Sequence, residues 1–186
     1  MHSFGPSLQL DGNRVFHNAL LHVNPQSPEQ VVQDLWTVIL ATWFSPDDGY
    51  MLKFKASTIA TESMPDSIIQ VIGVVCNPEV SDSFIQRQVL MVECKRPSAD
   101  TPKGWETAIQ NQVPDDMSQN WNTSERYYSA VAIGTKVRFF KWDGGAVDNL
   151  KLCPLHQGTF DLGSADGCMQ VEEMVNHVKA DGLHWV

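Results

Sequence analysis

Glu93 and Lys95 flank Cys94 at the end of the apolar run Val89-Leu90-Met91-Val92, just before Arg96-Pro97. In an extended strand, residues two apart share a face, so the carboxylate and the amine stand together while Leu90, Val92 and Cys94 point the other way. Two charges at the end of an apolar strand need a reason, although a Glu-x-Lys arises by chance in roughly half of chains this long. Its context therefore carries the signal. Asp66 supplies a second carboxylate if the apolar run 68–75 and the run 88–95 form a hairpin that turns near Val80 and Ser81. Paired positions then sum to about 161 or 162, as antiparallel pairing requires. That sets Asp66 opposite Lys95 or Arg96 and within reach of Glu93, with Asp47, Asp48 and Asp82 at the far end of the strands.

Two convergent carboxylates beside a lysine suit a hard divalent cation such as Mg²⁺, which prefers oxygen ligands and keeps several waters. Such a cation lowers the pKa of a bound water and neutralises a phosphoryl oxygen, while an ammonium orients the nucleophile and stabilises the transition state. This is machinery for phosphodiester hydrolysis. The alternative is an ordinary ion pair at a strand end, Asp66 or Glu93 with Lys95 or Arg96.

The elements that must position these groups follow from patterning. Ser27-Pro28-Glu29 opens a helix with Ser27 as N-cap and Pro28 at the first helical position. The helix is apolar around most of its circumference (Val31, Val32, Leu35, Trp36, Ile39, Leu40, Trp43) and ends near Ser45-Pro46. Residues 50–57 alternate as a strand, with Tyr50, Leu52, Phe54 and Ala56 on one face and Met51, Lys53 and Lys55 on the other. After the hairpin, Thr101-Pro102 starts a helix with a stripe of Trp105, Ala108, Ile109 and Gln112, which Pro114 ends or kinks. Strands over 127–134 and 137–142 and a helix over 171–179 complete a mixed α/β order. The first 25 residues or so are irregular or form one short element.

Length and composition bound the rest. The chain has 186 residues, 42% hydrophobic and 19% charged, which fits a single domain, 1–186. No apolar stretch approaches the ~20 residues that span a bilayer, and the N-terminus lacks the regions of a signal peptide. The expected location is intracellular, nuclear or cytoplasmic. Cys76, Cys94, Cys153 and Cys168 show no Cys-x-x-Cys spacing, and no His-x-x-x-His occurs, against a structural zinc site. The formal net charge of −9 opposes a polyanionic partner, yet residues 87–141 carry a net +2 and leave −11 for the remainder. An anion would sit in that middle segment.

Pro65-Asp66, then Glu93-Cys94-Lys95 at the end of an apolar strand, then a helix and two strands, resembles the PD-(D/E)xK nuclease superfamily over residues 27–142. Val92-Glu93-Cys94-Lys95-Arg96-Pro97, Trp105-Glu106, Ala130-Val131-Ala132-Ile133-Gly134 and Val137-Arg138-Phe139-Phe140 are also similar to uncharacterised fungal members. The resemblance implies a restriction-endonuclease-like α/β core, a mixed central sheet of about five strands flanked by helices, with residues 143–186 as a helical extension. It makes Asp66 and Glu93 ligands of Mg²⁺ or Mn²⁺ with the Cys94 carbonyl as a further ligand, Lys95 the catalytic lysine, and the Cys94 side chain a small hydrophobe in the core. Many members place a glutamine or tyrosine on the next helix near the lysine. Gln112 continues the stripe and fits that place, though it reads equally as a flank residue bonding to backbone.

Glu29 and Asp34 are candidates for an acid from the first helix, and Glu29 also suits the helix dipole. Arg96, Lys103, Arg126, Lys136 and Arg138 could meet phosphates or stand as solvated charges, and Trp121 could stack on a base. The implied function is metal-dependent hydrolysis of DNA or RNA, for which a homodimer is one way to cut both strands of a duplex. The alternative is a nuclease-like fold serving only as a protein interaction module. A small-molecule hydrolase lacks a nucleophile, since no Gly-x-Ser-x-Gly occurs.

Overall fold

The computed structural model describes residues 10–56, 67–117, 122–147 and 150–185, with the backbone alone at Ala56, Ser67, Gln112, Asp115 and Met117. Two helices come first, α1 (Arg14–His22) and α2 (Glu29–Trp43), followed by the strands β1 (Tyr50–Ala56), β2 (Ser67–Cys76) and β3 (Phe84–Lys95). A helical crossover follows: α3 (Pro102–Thr107), a π turn over Ala108–Gln112, and α4 (Val113–Met117). The chain then returns as β4 (Arg126–Ile133), β5 (Lys136–Asp143), β6 (Leu152–Pro154) and β7 (Phe160–Asp161), and closes on α5 (Ala165–Trp185). The strands form one mixed sheet in the order β1-β2-β3-β4-β5-β6, with β7 also on β5. Among the described residues only β3 and β4 run parallel, and parallel neighbours need the crossover that α3 and α4 supply.

The β2–β3 register holds the expected sum of 161 from Ser67↔Cys94 to Val71↔Leu90. It then changes by one, Ile72 pairing with Gln88, so Val89 is an extra residue in β3, a β-bulge. The bulge leaves Val89 against α5, where a Cβ on Gly182 would come within 2.4 Å of its Cγ1.

Residues paired across strands share a face, so the register sorts the side chains. Leu90, Val92 and Cys94 of β3 lie level with Tyr128, Ala130 and Ala132 of β4, and Phe139 of β5 pairs with Ala130. α2 and α5 cover this first face. The Trp36 ring of α2 meets Phe139 edge-on at 6.0 Å, and Tyr128 donates its hydroxyl to Asp181 Oδ2 of α5 at 2.6 Å. Trp43 Nε1 joins the two helices by donating to Asn176 Oδ1 at 2.8 Å. Leu35, Trp36, Ile39, Leu90, Val92, Val171, Val175 and Val178 are fully buried here. The second face carries Glu93, Lys95, Arg138 and Tyr127 and meets α3, where Arg138 lies over the Trp105 ring at 4.4 Å.

Several expectations need correction. Among the described residues the sheet has seven strands rather than about five, because residues 143–186 add β6 and β7 as well as a helix. α5 starts at Ala165 rather than near 171, and its buried valines make it part of the core. Ser27 does not cap α2: its hydroxyl donates to the His22 carbonyl and accepts from Asn24 N–H, closing the preceding turn, and Pro28 occupies the cap position without a side-chain bond. Thr101 does cap α3, accepting from Gly104 N–H at 3.0 Å.

Pro114 does not end its helix. Val113 N–H bonds back to the Ala108 carbonyl, five residues away, and this widened turn lets the helix continue to Met117 around a residue with no N–H. The insertion also moves the buried stripe, which passes from Ala108 to Val113, both fully buried. Among the described residues, no helix is long and apolar enough to cross a membrane.

Candidate functional site

Glu93 stands on the second face of the central strand β3, between Ile68 of β2 and Val131 of β4. It is fully buried, and Lys95, two residues on, places Nζ 3.0 Å from Glu93 Oε1 with only 9% of its side chain exposed. Strand alternation thus brings together the two groups expected on one face. Burial of both ions is costly unless each is well paired, so this contact couples the end of β3 to its surroundings far more tightly than a surface ion pair would.

Cys94 faces the other way, into the packing beneath α2, and is fully buried. Burial above all pushes its thiol well up. The charges of Glu29 and Glu93 push in the same direction, against Lys95. A thiol held neutral this way is a packing group rather than a nucleophile. Glu29 lies in the first turn of α2, on the Cys94 side of the sheet, whereas Asp34 is exposed and accepts from Gln30 Nε2 at 2.9 Å.

Asp66 and Trp121 lie outside the described residues, as does the side chain of Gln112, whose backbone belongs to the π turn. Ser67, the chain neighbour of Asp66, pairs with Cys94. Among the described residues, no group of three or more His, Cys, Asp or Glu side chains could hold a metal ion. Glu93 supplies one carboxylate, and a cation there needs a second.

The register places two further charges level with this pair. β5 runs antiparallel to β3, so Glu93, Val131 and Arg138 form one row and Lys95, Ile133 and Lys136 the next. Arg138 and Lys136 therefore stand on the same face two strands away, about 10 Å at ~4.8 Å per strand. They line a cleft of about 970 Å³ with Asp100, Trp105, Thr159 and Asp161. Arg96 and Lys103 are exposed, and Arg126 pairs with Asp143 at 3.1 Å.

Asp100 organises the rim by accepting from Trp105 Nε1 and from Lys136 Nζ. Burial alone would raise its carboxyl. The hydrogen bonds from Lys136 and Trp105, with the Lys136 and Arg138 charges, outweigh burial and hold it below its ordinary value. Beneath α4, burial and then the Asp116 charge push the Tyr127 phenol far up, so it stays neutral. Thr159 and Asp100 line the cleft and were missed by sequence reasoning, because both lie on loops with no period to mark them.

His156 borders Arg138 from the other side. Its Nε2 accepts from Phe139 N–H at 3.0 Å, and its ring stacks on Phe160 at a centroid distance of 3.7 Å. Burial first and the Arg138 charge after it hold the imidazole below its usual value of 6.5, against the Gln157 carbonyl, which favours the charged ring. As pH falls the unfolded chain takes up this proton before the folded one does, so the stability contribution is full above pH 6.5 and is lost as pH falls through the lower folded value. The melting temperature is therefore expected to drop between pH 7 and pH 5, and to drop less in His156→Gln. Superimposable wild-type and variant pH curves would refute the assignment.

No family model, curated protein or solved structure matches the chain.

Proposed function

We propose that the chain is a metal-dependent nuclease with a restriction-endonuclease-like core, in which Asp66 and Glu93 hold Mg²⁺ or Mn²⁺ and Lys95 orients the attacking water. The observation that carries this reading is the Glu93–Lys95 contact of 3.0 Å on one face at the end of a central strand, with Ser67, next to Asp66, paired to Cys94. The order of two antiparallel strands, a helical crossover and a parallel strand supports it, since that arrangement gathers the ends of β2, β3 and β4 into one place. The cation would supply an acidified water and charge neutralisation on the phosphoryl oxygen. Glu93 contributes negative charge in a place shielded from solvent, where electrostatic attraction is strong. Lys95 contributes a fixed ammonium beside it. Arg96, Lys103, Arg126 and Lys136 remain candidate phosphate contacts, and Gln112 a further group near the lysine.

The test uses labelled DNA and RNA, each single- and double-stranded, with the full chain. Cleavage is expected with Mg²⁺ or Mn²⁺ and not with EDTA. It should fall at least about 100-fold in Asp66→Asn and in the double variant Glu93→Gln/Lys95→Met, the usual scale for losing a preorganised electrostatic group. Equal cleavage by all three proteins would trace the activity to a contaminant and end the reading. The second reading, a catalytically degenerate fold acting as a protein interaction module, is favoured by the closure of Glu93 and Lys95 against solvent. On that reading titration calorimetry detects no binding of Mn²⁺.

A further inference from the structure

Arg138 differs from the paired cations of the middle segment. Among the described residues no carboxylate lies within ion-pair distance of it, whereas Arg126 pairs with Asp143, Lys136 with Asp100 and Lys95 with Glu93. It is nonetheless held still. Its Nε donates to Thr159 Oγ1 at 2.7 Å, and its guanidinium carbon sits 4.4 Å from the centre of the Trp105 ring. Trp105 is fixed in turn, because its Nε1 donates to Asp100. One edge and one face of the guanidinium are thereby committed, leaving the terminal amines for the cleft that Arg138 lines. A half-buried guanidinium preset in this way is suited to bind a phosphate through paired N–H groups.

The cleft's acids do not cancel this charge directly. Asp100 is engaged by Lys136 and Trp105, and Asp161 Oδ1 accepts from Thr135 Oγ1 and Gly163 N–H. Glu106 is exposed. The balance is unlike a basic track, and the cleft, about 970 Å³, has the size of a ligand pocket rather than of a duplex groove. A single strand held at one phosphate fits both facts.

We infer that Arg138, set by Thr159 and Trp105, binds one phosphate of a single-stranded nucleic acid in this cleft, about two strand spacings from Glu93. The inference rests on the nuclease reading for its ligand class. It makes Arg138 a binding residue rather than one that acts on the reacting atoms.

Fluorescence anisotropy of a labelled 20-mer with the full chain in EDTA tests it without any cleavage. Single-stranded DNA, single-stranded RNA and a DNA duplex form the three arms. Arg138→Ala is expected to weaken single-strand binding about tenfold and to reduce the slope of log K against log salt by about one phosphate contact. Arg138→Lys should fall between wild type and Arg138→Ala. Thr159→Val, which keeps the cation and removes its anchor, should weaken binding less than Arg138→Ala and leave the salt slope unchanged, and Arg14→Ala, exposed on α1 and away from the cleft, should change nothing. Melting curves confirm that each variant is folded. Affinity within twofold of wild type in Arg138→Ala, tighter binding of the duplex than of either single strand, or no binding by the wild type would each overturn the inference, whatever the cleavage assay shows. Arg138-dependent binding without cleavage would instead leave the inference standing and remove the nuclease reading.

Discussion

Lys95→Met is expected to lower the free energy of unfolding by about 3–5 kcal/mol, while Glu93→Leu/Lys95→Met recovers most of that loss. Glu93 is fully buried at the middle of the sheet, and Lys95 lies 3.0 Å from it with 9% of its side chain exposed. Removing the cation leaves a buried carboxylate whose desolvation is no longer offset by the Lys95 ammonium. Removing both replaces two costly ions with apolar groups of similar volume in an apolar neighbourhood of Ile68, Val131 and Ile133. Denaturant unfolding at pH 7 measures the difference through the midpoint at constant slope. A loss under ~1 kcal/mol in the single variant would place the pair in the class of surface ion pairs and remove the reason for treating it as a special site.

The same two variants separate stability from chemistry. A pair kept only for structure can be replaced by the apolar couple with no other consequence. A catalytic pair can be replaced with equal stability, but the protein then loses cleavage. Buried ion pairs are weak contributors to stability in general, so a chain that retains one at the end of its central strand invites the second explanation, and the cleavage assay decides it.

How much of this was legible in the sequence depends on whether local or distant groups set each feature. The faces of β3 follow from strict alternation, so Glu93 and Lys95 on one side and Cys94 on the other could be read from residue order alone. The hairpin register followed from the position of its turn, and the sum of 161 holds from Ser67 to Val71. The bulge at Val89 could not be read, because the extra residue is itself apolar and keeps the run looking continuous. Its close approach to Gly182, a residue of α5 far along the chain, shows the packing that accompanies it. The π turn likewise hides behind a proline that ordinarily stops a helix. β6 and β7 have three and two residues, too short for any period to register. Arg138 was visible as a cation on a strand. Its anchoring by Thr159, across 21 positions, was not.

Gly167→Ala carries the other large expected effect, because α5 begins pressed against the backbone of β7. A Cβ on Gly167 would lie 1.9 Å from the Asp161 carbonyl oxygen and 2.5 Å from its carbon, and these are main-chain atoms with no rotamer to yield. The same carbonyl accepts from Ser164 N–H and Ser164 Oγ, so displacing it also opens the turn that leads into the helix. α5 must then shift as a body, and with it Val171, Val175 and Val178, all fully buried. Overpacking costs typically about 1–3 kcal/mol, and with a rigid backbone as the obstacle the upper end, about 3 kcal/mol, is expected here from denaturant unfolding. Gly12→Ala is the control, since nothing lies within 4 Å of a Cβ there, and it should change stability by less than about 0.5 kcal/mol. Asp161 also holds Thr135 and lines the Arg138 cleft, so whatever folded Gly167→Ala remains should bind single strands more weakly. Wild-type stability in Gly167→Ala would mean that α5 can tilt off β7 freely, and the close packing that ties the cleft wall to the core would then be wrong.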